Sequence, residues 1–92
     1  CDPEREKRVI LSAEHRTKAR DVARKSVVLL KNENQTLPLN LKTKIALIGP
    51  LGDNQSELIG AWSGSGSGND CVSLLQGLKN AGGNVTFSKG CN

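Results

Sequence analysis

The chain lacks methionine and tyrosine altogether and carries one phenylalanine, one tryptophan and one histidine in 92 residues. Aromatic side chains bury the most area per residue, so a core here has to be aliphatic. Twelve Leu, six Val and four Ile supply it. That suffices for one modest core in a chain near the lower size limit for independent folding, and it excludes a large catalytic architecture within this chain alone. No window approaches the roughly 18 consecutive apolar residues of a membrane span, and no basic-then-apolar leader opens the chain. No membrane partner is expected. The three cysteines, Cys1, Cys71 and Cys91, provide neither a CxxC pair nor a zinc-ligand spacing. Neither a metal nor a cofactor is expected. One disulfide could form, while Cys71, set in an apolar pattern, reads as a buried free thiol.

The charge balance is +4. Nucleic-acid binding is one reading of such an excess. The excess sits mostly between Lys7 and Lys31, with no aromatic residue interleaved to stack on bases. A solvated basic helix face is the preferred reading, so no nucleic-acid partner is expected.

Along the chain, residues 1 to 11 are polar until Val9-Ile10-Leu11, and Pro3 favours an irregular start. Ser12 then precedes Ala13-Glu14-His15 as an N-cap with an acidic first turn. Ala19, Val22, Ala23, Ser26, Val27 and Leu30 recur at spacings of three and four, one face of an amphipathic helix. Arg16, Arg20 and Arg24 line its basic side. The period fails at Ser26-Val27-Val28-Leu29-Leu30, and Pro38 imposes extended backbone before it. The expectation there is a short hairpin.

Lys44-Ile45-Ala46-Leu47-Ile48, stopped by Gly49-Pro50, reads as a strand buried on both faces of a parallel sheet. Asp70 can cap a helix with Cys71, Leu74, Leu75, Leu78 and Ala81 on its apolar face, ended by Gly82-Gly83. Asn84-Val85-Thr86-Phe87-Ser88 reads as a second strand. Strand, helix and strand make a parallel βαβ unit. The fold class is α/β: a partial parallel sheet preceded by an amphipathic linking helix and a hairpin. Residues 1–43 form the lead-in and 44–92 the incomplete βαβ unit, because two strands do not finish such a sheet.

Open α/β sheets place function at the carboxyl ends of strands. Here that loop runs from Gly49 to Asn69 and is rich in glycine from Gly60 to Gly68. It holds no Lys for a Walker A loop, and glycines at 64, 66 and 68 do not spell a dinucleotide fingerprint. Trp62 stands in this loop rather than on a periodic apolar face. Its indole is either a platform for the C–H face of a sugar ring or an anchor fixing the loop to the core. His15, in the first turn of a basic helix, reads as a surface or capping residue. Asp53 and Glu57 lie in the loop but lack the apolar setting that would suit a carboxylate to acid catalysis.

The segment from His15 to Asn32, ending Ala23-Arg24-Lys25-Ser26-Val27-Val28-Leu29-Leu30-Lys31-Asn32, then Thr36-Leu37-Pro38-Leu39, resembles glycoside hydrolase family 3. There a helix ending in A-x-x-S-x-V-L-L-K-N, followed by L-P-L, leads from the catalytic barrel into the second domain. Lys44 to Asp53 is similar to the family's K-I-A-x-I-G-P-x-A-D, with Gly52 in place of the usual Ala. Gly60-Ala61-Trp62-Ser63 is similar to its G-x-W loop. Residues 74–81 and 85–91 resemble the helix and second strand that follow. The resemblance spans essentially the whole chain and is closest to the bacterial β-glucosidase and β-xylosidase branch.

The resemblance implies hydrolysis of terminal β-linked sugars with retention, using two carboxyl groups about 5–5.5 Å apart. The family's nucleophile is an Asp in the barrel and its acid/base is commonly a Glu later in the second domain. Neither motif matches a position here, so no catalytic residue is assigned and the 92 residues are expected to be inactive alone. Trp62 is the one substrate-binding residue carried over. The implied partners are a β-linked glycoside and an N-terminal catalytic barrel; the location of the parent stays open, the resemblance favouring a periplasmic or secreted protein over a cytoplasmic one. Cys1 falls inside a longer chain rather than at a lipidated terminus. The alternative reading is a noncatalytic carbohydrate-binding or interaction module built on the Trp62 loop.

Overall fold

In the computed structural model, residues 2–90 are described, and the chain divides into two units, Cys1–Thr36 and Leu37–Asn92. The expectations for Cys1 and Cys91 lie outside the described residues.

In the first unit, Pro3 starts a helix instead of an irregular segment. Helix α1 spans Pro3–Val9. Proline suits a first helical position because its missing N–H would have no intrahelical partner there. Asp2 caps the helix, its Oδ1 accepting the Glu4 N–H at 3.0 Å. Glu4 and Glu6 in the first turn, with Lys7 and Arg8 in the last, complement the helix dipole. The exposed Lys7–Glu4 and Arg8–Asp2 pairs, each 2.9 Å, add little. Leu11, at φ 56°, breaks the helical path. Helix α2, Ala13–Ser26, begins as expected at Ser12, whose Oγ accepts the His15 N–H at 3.3 Å.

No residue of either helix is buried. The apolar stripe of α2 is real as a pattern, yet its Val22 is 59% exposed. The expected hairpin is absent. Residues 27–32 form neither helix nor strand, and Glu33–Gln35 is a single 3-10 turn with Asn34 and Gln35 at positive φ. Thr36 closes that turn in helical geometry. Proline at 38, after a cis peptide, has no N–H to give a ladder. Without a partner, the apolar run at 27–30 stays exposed.

The second unit is the βαβ circuit. Strands β1, Lys44–Ile48, and β2, Asn84–Ser88, pair in parallel with Ile45 opposite Val85 and Leu47 opposite Phe87. Helix α3, Leu74–Asn80, lies in the crossover. Both strands alternate exposed and half-buried positions. This corrects the expectation of a strand buried on both sides: Ile45, Leu47, Val85 and Phe87 share the covered face, and Ile48 on the other is 69% exposed. Leu75, 7% exposed, is the buried apolar side chain of α3, worth about 2 kcal/mol.

The cap of α3 is Ser73, not Asp70. The Ser73 Oγ accepts the Gln76 N–H at 3.1 Å, while Asp70 ends a separate 3-10 turn, Gly68–Asp70. Cys71 therefore precedes the helix, and it is half-buried rather than buried. Gly82, at φ 86°, ends α3 as expected, and the Gly83 N–H reaches the Leu78 carbonyl at 2.9 Å. Among the described residues no helix is long and apolar enough to cross a membrane.

Gly52 is buried on the covered face of the sheet. A Cβ there would lie 2.8 Å from Cε2 of Phe87 and 3.1 Å from Leu47. The absence of a side chain at Gly52 makes room for the ring of Phe87. Gly52→Ala is expected to cost about 1–3 kcal/mol through overpacking. Adding Phe87→Leu should recover part of it, with a coupling of about 0.5–3 kcal/mol read from urea unfolding midpoints. Strictly additive losses would contradict this account.

Candidate functional site

Parallel strands send the chain out at their carboxyl ends, and the segment between β1 and α3 gathers there. Gly49, at φ 139°, turns the chain out of β1, and its N–H reaches the Ser88 carbonyl at 2.9 Å, extending the ladder one step. The Gly52 N–H then closes a turn onto the Gly49 carbonyl at 3.2 Å. The Asn54 Oδ1 accepts from the Ser56 hydroxyl at 2.7 Å and the Glu57 N–H at 3.2 Å. That shapes the start of a 3-10 turn, Ser56–Ile59. Gly60, at φ 68°, ends it.

The glycine-rich loop that follows has a closed stem. Its return passes through Gly68, where a Cβ would stand 2.9 Å from the Cα of Ser56. The backbones meet there more closely than any side chain allows. The Gln55 Nε2 adds a second link, donating to the Cys71 carbonyl at 2.6 Å. Residues 61–67 are thus a loop with joined ends, and Trp62 lies near its outgoing stem. Trp62 is 97% exposed, so its indole does not fasten the loop to the sheet.

Beneath the stem is an open cleft of about 460 Å³. Pro50, Asp53, Asn54, Gln55 and Ser56 line one side, Gly68 and Asn69 another, and Lys89, just past β2, completes it. The lining is mainly polar, with donors and acceptors of the kind that meet hydroxyl groups. Asp53 is held by the Ser73 hydroxyl, which donates to its Oδ1 at 2.7 Å.

Of the residues singled out from sequence, Trp62 and Asp53 belong to this region, but Trp62 is not part of the cleft wall. Glu57 lies in the first stem and does not line the cleft. His15 sits exposed on α2 and takes no part. The sequence pattern does not single out Asn54, Gln55, Asn69 or Lys89, which the fold brings to the cleft. The rule that strand carboxyl ends carry function covers 54 and 55, and also Lys89 directly after β2. Nothing in the pattern shows that residue 68 returns to residue 56 and brings Asn69 to the cleft. Among the described residues no group of three His, Cys, Asp or Glu side chains could hold a metal ion.

Residues 27–90 match the glycosyl hydrolase family 3 C-terminal domain. The chain is 48% identical over 81 residues, 85% of its length, to a periplasmic beta-glucosidase of Salmonella typhimurium. It is 37% identical over 75 residues, 80% of its length, to a xylan 1,4-beta-xylosidase of Xylanibacter ruminicola. It is also 39% identical over 82 residues, 85% of its length, to probable beta-glucosidase J of Emericella nidulans. The aligned stretches cover 11%, 8% and 9% of those proteins, so the chain spans about a tenth of their length. With the match running from the end of α2 to just past β2, the chain belongs to the glycosyl hydrolase family 3 C-terminal domain family.

Proposed function

We propose that this chain is the opening segment of the C-terminal domain of a retaining glycoside hydrolase that removes terminal β-linked glucosyl or xylosyl residues. Residues 1–43 lead from an N-terminal catalytic barrel of the same protein, and residues 44–92 open the α/β-sandwich domain. The relatives named beta-glucosidase and beta-xylosidase support the substrate class. The structural observation that carries the reading is Trp62, 97% exposed on a loop rooted at the rim of a polar cleft. An exposed indole offers a flat apolar surface to the C–H face of a pyranose, while the amides and carboxylate of the cleft suit its hydroxyls.

Retention needs a nucleophile and an acid/base about 5–5.5 Å apart. In the resembled family both motifs lie outside the positions matched here. This segment's part in catalysis is then to bind and orient the sugar, holding the bond to be cleaved against carboxylates supplied by the rest of the protein.

Two outcomes are expected. The isolated 92 residues should show no turnover of an aryl β-glucoside or β-xyloside. Measurable, inhibitor-sensitive release of the aryl group would defeat the division of labour proposed here. In the full-length protein, Trp62→Ala should raise KM about tenfold or more, since truncating a contact tryptophan typically removes upward of about 1.4 kcal/mol of binding. An unchanged kcat/KM would remove Trp62 from the sugar site.

A further inference from the structure

Ser73 is the buried polar side chain of the described residues, 2% exposed. Its Oγ has two roles. It accepts the Gln76 N–H at 3.1 Å, which caps α3, and it donates its only hydrogen to Asp53 Oδ1 at 2.7 Å. The first role is what any serine cap does. The second is not required by the helix at all. It crosses 20 residues of sequence to reach a carboxylate on the wall of the cleft.

The backbone is tied at the same point. The Leu75 N–H donates to the Gly52 carbonyl at 2.9 Å, and Gly52 is wedged against Phe87 and Leu47. Both the main chain leading into Asp53 and its side chain are therefore fixed to the first turn of α3. A hydroxyl bond to a carboxylate is charge-assisted and short, which restricts the side-chain torsions of an otherwise exposed Asp. It engages Oδ1. A carboxylate has about four lone-pair positions over its two oxygens, enough to accept from Ser73 and from a ligand hydroxyl together.

We propose that Ser73 is a positioning residue, holding the Asp53 carboxylate in the cleft as a fixed acceptor for hydroxyl groups of the bound sugar. This rests on the reading of the domain as part of a glycoside hydrolase. Asp53 touches the ligand. Ser73 acts only through Asp53.

The test is a double-mutant cycle in the full-length protein, with aryl β-glucoside and β-xyloside as substrates. Asp53→Ala keeps the Ser73 cap and should raise KM about tenfold, with a smaller change in kcat, the cost of one charged hydrogen-bond acceptor. Ser73→Ala should raise KM by a similar factor in the wild-type background and leave it unchanged in the Asp53→Ala background. The loss of the helix cap, by contrast, should lower the melting temperature in both backgrounds. A wild-type KM for Asp53→Ala overturns the proposal, even if Ser73→Ala does not fold. So does a Ser73→Ala effect on KM that is equally large without Asp53. If the wild-type protein hydrolyses neither glycoside, the hydrolase reading fails and takes this proposal with it. If it hydrolyses one and the cycle is additive, only the positioning role is lost.

Discussion

The parallel pairing of β1 with β2 is the constraint from which the rest of the second unit follows. Parallel strands cannot be joined by a tight turn, so the chain leaves β1 at its carboxyl end and must travel back to the amino end of β2. That detour contains the whole glycine-rich loop, α3 and every residue of the cleft wall except Lys89. It also decides where polar chemistry collects, because loop residues 50–56 and the residue after β2 emerge at the same end of the sheet. The circuit is tied to α3 where Gly52 and Asp53 meet its first turn through the Leu75 N–H and the Ser73 hydroxyl.

That junction explains why so small a core holds its shape. Leu75 is the buried apolar side chain of the described residues, and the sheet contributes only one half-buried row. With little apolar area to work with, close approach substitutes for bulk. Gly52 admits the ring of Phe87, and Gly68 admits the backbone of Ser56. Each is a place where one added carbon meets an atom at 2.9 Å or less. The loop bearing Trp62 is clamped at its stem while its tip stays open to solvent, an arrangement that presents the indole without burying it.

The regular elements whose signals are local were readable in advance. Helix α2 has a serine cap and a three-four apolar period. Strands β1 and β2 are short apolar or alternating runs stopped by glycine or turn residues. Gly82 ends α3 for the ordinary steric reason. At the two helix starts the difference comes from competition between neighbouring signals. Pro3 reads as favouring an irregular start, but with Asp2 as the cap before it a first-turn proline is favourable. Asp70 and Ser73 both have capping side chains, and it is Ser73 that accepts an α3 N–H while Asp70 ends a separate turn. The hairpin expected across 26–39 needed a ladder partner, and apolar β-branched residues do not make a strand without one.

By itself the sequence determined the class of the fold, the parallel order of its strands, the family, and the location of the candidate site on the loop after β1, since these rest on local pattern and ordered motifs. Only the tertiary structure decided which side chains share the cleft. Asp53 and Ser73 stand 20 positions apart, Ser56 meets Gly68 across the loop, and Lys89 arrives from beyond the second strand. No periodicity encodes such meetings. They follow from chain closure, in which a parallel pair, a buried glycine and one hydroxyl bond bring distant residues to the same end of the sheet.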